Sequence, residues 1–145
     1  GVNAGIGSPF FDSIESRLSH LLFSVPAVKG VEFGEGFNFA NLCGSEVKDE
    51  YYYDEEGNVK TYKNCNGSIL GGISNGQPIC FNVAIKPTAS ISSEQRTINV
   101  ETKENTTLTV VGRHDPVIVK RAIPVIEAVS AICLYDFILW PHDDT

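Results

Sequence analysis

The chain has 145 residues, with 11 Lys+Arg against 18 Asp+Glu and a net charge of −7. That length suits one ordinary domain, long enough to bury roughly 70% of its unfolded surface without disulfides or a structural metal. The acidic balance speaks against a general nucleic-acid binder, which shows phosphates a basic face. No apolar stretch reads as approaching the ~20 residues of a membrane span, and no leader is visible at Gly1-Val2-Asn3-Ala4-Gly5, so no membrane partner and a cytoplasmic location are expected.

Ser8-Pro9 reads as a helix start, Ser as N-cap and Pro as first helical residue. Ile14, Leu18, Leu21, Leu22 and Val25 recur at helical spacing, so a helix is expected over residues 9–24, ended by Pro26. Val28 to Phe33 alternates as a strand does, and residues 37–42 suit a short helix. Residues 51–62 read as a polar hairpin whose turn lies between Asp54 and Asn58. Tyr51, Tyr52 and Tyr53 alternate faces there, so they serve hairpin packing and not one stacking platform.

The Gly- and Asn-rich stretch 64–76 lets a backbone approach a ligand closely. It has no G-K-[ST] and no G-x-G-x-x-G, so neither nucleotide fingerprint is present. Residues 79–86, 96–101 and 106–111 read as further strands. Asp115 and Pro116 suit an N-cap and first residue for a helix running to Leu139. That helix is apolar nearly all round, which requires a partner surface, and Pro124 interrupts its hydrogen bonding.

The cysteines, Cys43, Cys65, Cys80 and Cys133, form no C-x-x-C pair and read as free thiols, with Cys80 and Cys133 buried. His20, His114 and His142 share no ligand spacing, and no metal site is expected.

Two segments carry chemistry. In Gly112-Arg113-His114-Asp115-Pro116, Arg113 is a bidentate donor for phosphate or carboxylate at a helix start, and Asp115 is a candidate proton acceptor. The plain alternative is an N-cap with its salt-bridge partner. In Lys86-Pro87-Thr88-Ala89-Ser90, an ammonium and two hydroxyls at a strand end suit a phosphate or a polar ring edge, against an ordinary strand exit.

Arg113-His114-Asp115-Pro116-Val117, Ala122, Pro124-Val125 and Glu127-Ala128-Val129 follow Pro26 to Phe37, Gly44-Ser45, Ile69 to Gly76 and Lys86-Pro87-Thr88 in one order. These blocks resemble the C-terminal portion, less than half, of a chorismate synthase. The resemblance implies an α+β fold, with an antiparallel sheet on long helices in a β-α-β layered architecture. Residues 1–145 would form the C-terminal part of one such domain, without an internal boundary.

It further implies conversion of 5-enolpyruvylshikimate 3-phosphate to chorismate and phosphate, a 1,4-anti elimination needing reduced FMN, in a homotetramer. By the same resemblance FMN would meet Pro26, Ala27, Gly71, Lys86, Pro87, Thr88, Ala89, Ser90 and Arg113. Arg113 and Asp115 would be the catalytic pair, Asp115 shuttling a proton near flavin N5.

The family's Gly-Glu-Ser-His-Gly and Ser-Ala-Arg motifs have no counterpart in this sequence, so the chain alone is expected to be inactive. A non-catalytic paralogue that binds flavin or oligomerises is the alternative. Asn66-Gly67-Ser68 departs from the family's usual Ala-Gly-Gly, at little cost unless φ at Ser68 is positive.

Overall fold

The computed structural model describes residues 1–114 and 117–139. A 3-10 turn at Phe10–Asp12 leads into helix α1 (Ile14–Ser24). Strand β1 (Val28–Phe33) and a 3-10 turn at Gly36–Asn41 follow. Then come β2 (Tyr51–Tyr53), β3 (Val59–Thr61), β4 (Ile69–Leu70), β5 (Ile73–Ser74) and β6 (Phe81–Ile85). β7 (Gln95–Asn99), β8 (Glu104–Leu108) and helix α2 (Val119–Leu139) complete the order. The fold is α+β, as expected, with four antiparallel ladders: β1 with β6, β2 with β3, β4 with β5, and β7 with β8.

The helix starts differ from expectation. Pro9 is extended, and Ser13 caps α1, its Oγ accepting from the Ser16 N–H at 3.0 Å. Phe10 sits at φ 60°, so the chain turns before it can wind, and Ser8 cannot be the cap. α2 starts at Val119; the expected cap Asp115 and first residue Pro116 lie outside the described residues. Pro124 is inside α2, and the helix continues through it.

Ile14, Leu18 and Leu22 are fully buried, one turn apart on one face of α1. They pack with Ile69, Cys133 and Phe137 into one core, flanked by Val31, Phe33, Phe81 and Val83 from the β1–β6 ladder. Cys133 and Phe137 share the inner face of α2, where the Arg17 guanidinium pairs with Asp136 and lies 4.6 Å over the Phe137 ring.

The outer face of α2 is exposed, at Ile123, Ile132, Tyr135 and Ile138. This helix corrects the expectation that no apolar stretch approaches the length of a membrane span. With 21 residues and a mean hydropathy of 1.9 it is long and apolar enough to cross a bilayer by length and composition. Lys120, Arg121, Glu127 and Asp136 had broken the run into shorter apolar pieces. In the fold its inner face is taken up by α1.

Cys80 is another correction: it is exposed, while Cys43, Cys65 and Cys133 are exposed, buried and buried. Cys80 lies just before β6, outside the ladder, so its apolar neighbours in sequence did not bury it. All four thiols are free. In the hairpin of β2 and β3, Asp54 Oδ1 accepts from the N–H groups of Glu56 and Asn58, as the turn chemistry predicts. Tyr52 stacks on Tyr62 at 4.5 Å between ring centroids.

Candidate functional site

The β1–β6 ladder sets one side of the site. Its register pairs Val28 with Ile85 and then slips by one residue, with Gly30 opposite Ala84. The residues beyond that pair therefore meet. The Lys86 N–H donates to the Ala27 carbonyl at 2.7 Å, which puts the Pro26-Ala27 turn against the start of the Lys86-Pro87-Thr88-Ala89-Ser90 segment. Ala27 has φ 71°, a left-handed conformation that L-residues rarely adopt.

The far end of that segment meets the loop before α2. Ser90 Oγ lies 3.1 Å from His114 Nδ1, a contact across 24 residues of sequence. Between them, the Ala89 carbonyl accepts from Gln95 Nε2 at 3.2 Å. Pro26, Ala27, Lys86, Pro87, Thr88, Ala89 and Ser90 thus form one run of neighbouring backbone, and the Ser90–His114 side-chain contact ties the segment that carries Arg113 to its end. Asp115 lies outside the described residues.

Lys86 and Arg113 are exposed, and neither makes an ion pair with another described residue. Thr88 Oγ1 is shut off from solvent and has no hydrogen-bond partner among the described residues. A buried hydroxyl without a partner costs about 1–3 kcal/mol, so a ligand that supplies one is favoured there. Two exposed cations on the segments that carry this hydroxyl and His114 suit an anion with several acceptor oxygens. The donor set therefore fits a flavin mononucleotide.

Gly71 stands apart. It has φ 60° in the β4–β5 turn, with nothing within 4 Å of where a Cβ would project. Its neighbours are Pro9, Phe10, Ser13, Glu15 and Gly72, around a cavity of about 450 Å³. Among the described residues no hydrogen bond or shared cavity joins it to Lys86 or Arg113.

The turn before it is tightly built. A Cβ on Gly34 would come within 1.9 Å of the Cys65 carbonyl, and one on Gly67 within 2.7 Å of the Gly34 nitrogen. Asp49 clamps this turn, accepting from the N–H groups of Cys65 at 2.7 Å and Asn66 at 3.0 Å and from Asn66 Nδ2 at 2.9 Å. Ser68 does have positive φ, 70°, and is fully buried. Its hydroxyl lies 2.7 Å from both Asn75 Oδ1 and the Gln77 carbonyl, which offsets the strain that a glycine would avoid.

Comparison with known proteins now decides the family. The family model described as chorismate synthase matches residues 1–139. The chain belongs to the chorismate synthase family. A chorismate synthase of Methanococcus aeolicus is 51% identical over 138 residues, covering 95% of this chain and 37% of the relative. One from Gloeothece citriformis is 49% identical over 141 residues, covering 97% and 39%. A crystal structure of chorismate synthase matches with TM-score 0.70 and 33% identity, over 95% of this chain and 33% of that one. The chain thus spans little more than a third of the length of these chorismate synthases.

His114, which shares no ligand spacing with the other histidines, is the further residue of this cluster. Its number stands in the Arg113 motif, but no local pattern announces that its ring reaches Ser90.

Proposed function

We propose that this chain supplies one wall of a chorismate synthase active site, acting in the conversion of 5-enolpyruvylshikimate 3-phosphate to chorismate and phosphate by 1,4-anti elimination. The observation that carries the reading is the Ser90–His114 contact, which closes the Lys86 and Arg113 segments into one anion-accepting cluster. Reduced FMN, when bound, supplies an electron transiently to the substrate and helps remove its C6 hydrogen.

The protein's part is binding, orientation and proton handling. Lys86 and Arg113 balance negative charge, Arg113 through a planar fork that also orients what it holds. Thr88 gives the hydroxyl that has no partner among the described residues. The Ala27 carbonyl fixes the backbone from which Lys86 projects. Pro87 stiffens the segment between Lys86 and Thr88. Asp115, two residues after Arg113 in sequence, takes up a proton as a carboxylate and returns it from the carboxylic acid. A cytoplasmic location, flavin reduction with NADPH and assembly as a homotetramer belong to the same reading, and the exposed apolar outer face of α2 supports assembly.

The test is fluorescence titration of oxidised FMN with the chain. Binding is expected, and Lys86→Ala and Arg113→Ala each weaken it about tenfold, the weight of one charge-assisted contact. No binding by the wild type, or binding indifferent to both substitutions, sinks the cofactor reading.

The second reading is a non-catalytic flavin-binding or oligomerisation module. The single observation in its favour is the same uncovered face of α2. Asp115→Asn separates the two. With the remainder of a family member supplied, it abolishes phosphate release while FMN binding persists if the first reading holds. If the chain and its variant are equally without turnover under those conditions, the module reading stands.

A further inference from the structure

The His114 ring is held at both nitrogens, and the proposed function assigns it no role. Nε2 lies 3.2 Å from the Val110 carbonyl oxygen, and Nδ1 lies 3.1 Å from Ser90 Oγ. A carbonyl oxygen only accepts, so Nε2 carries the ring proton. In the neutral imidazole Nδ1 is then an acceptor, and the Ser90 hydroxyl donates to it.

Ser90 is exposed, and among the described residues this is the hydrogen bond that ties its side chain to the rest of the protein. Val110 and His114 belong to one loop, four residues apart, so the Val110 bond braces the ring before it reaches across to Ser90.

We propose that His114 is a positioning residue that sets the hydrogen-bond polarity of Ser90. With its proton committed to His114, Ser90 presents oxygen lone pairs to whatever occupies the Lys86–Arg113 cluster. It then accepts from a ring N–H edge and does not donate to a phosphate oxygen. The labour in the cluster divides accordingly: Lys86, Arg113 and the Thr88 hydroxyl, unpartnered among the described residues, take the anionic group, and Ser90 reads a donor edge. This inference rests on the flavin-nucleotide reading of the cluster.

Two measurements on the 145-residue chain test it. The first needs no ligand: long-range 1H–15N NMR of the imidazole nitrogens, with His114 assigned through its Gln variant. The expected signature is the Nε2–H tautomer, with an Nδ1 resonance that moves on Ser90→Ala. The second is oxidised FMN titration of two variants, with circular dichroism confirming the fold.

His114→Asn keeps an acceptor where Nδ1 stands and binds within about twofold of wild type. His114→Gln keeps a donor where Nε2 stands, loses the acceptor for Ser90, and binds about five- to tenfold more weakly. An Nδ1–H tautomer, no response to Ser90→Ala, or equal binding by the Asn and Gln variants overturns the proposal. Absence of FMN binding by the wild type overturns the cofactor reading and the ligand half of this proposal, while the NMR signature still decides the His114–Ser90 contact.

Discussion

Ala27 accepts the Lys86 N–H at 2.7 Å from a left-handed backbone conformation, at φ 71°. An L-residue there costs about 1–2 kcal/mol, and glycine removes that cost while adding about 0.4–1 kcal/mol of unfolded-state entropy. Ala27→Gly is therefore expected to leave stability unchanged or raise it by up to about 1 kcal/mol. Ala27→Val, branched at Cβ, lowers it by about 1–3 kcal/mol. Urea unfolding of the two variants reads this directly, and a destabilised glycine variant contradicts it.

Asp49 makes stability depend on acid. Burial disfavours its charge, but the backbone and side-chain donors of Asn66 and the N–H of Cys65 together outweigh burial and hold the carboxyl below the usual aspartate range. Because the folded pKa is depressed, the stabilisation is fully present above the ordinary value of about 3.9 and fades as pH falls through the folded value. Asp49→Asn is expected to cost about 1 kcal/mol near neutrality, a figure discounted for the site's partial exposure. Denaturant midpoints of variant and wild type then converge below about pH 3.9. A gap that widens on acidification refutes the assignment.

Two neighbours on α2 make unequal contributions. The Asp136 side chain is 42% exposed and its partner Arg17 28%, so Asp136→Asn costs about 0–1 kcal/mol. Phe137 is 2% exposed in the core, and Phe137→Ala costs about 3–5 kcal/mol. Thermal unfolding distinguishes them, and comparable losses would mean the ion pair counts for more than its exposure allows.

The four thiols divide by burial. Burial pushes the Cys133 thiol pKa up, and burial with the nearby Asp49 carboxylate does the same for Cys65. Exposed Cys43 and Cys80 are expected to react with an aromatic disulfide reagent at once, and Cys65 and Cys133 only after denaturation. Four equal rates would show that the core opens on the reagent's timescale.

Local signals were legible where a residue's partners lie within a turn or two. The Ile14–Leu18–Leu22 stripe and the Asp54 turn are written in adjacent residues and formed as read. The cap moved from Ser8 to Ser13 because two serines sit before one apolar stripe, and only the backbone turn at Phe10 chooses between them. The run of site backbone depends on the ladder register and on a contact across 24 residues, which periodicity does not encode. Motif order pointed to Lys86 and Arg113, but not to the imidazole that links their segments.

Among the described residues all four ladders are two strands wide. In such a ribbon each strand has one neighbour, so outward N–H and C=O groups along β1, β6, β7 and β8 have no strand to pair with. The same backbone that shapes the cluster is thus a template for strand addition. A strand of another polypeptide, or of a further copy of this chain, would extend the ladders at those edges.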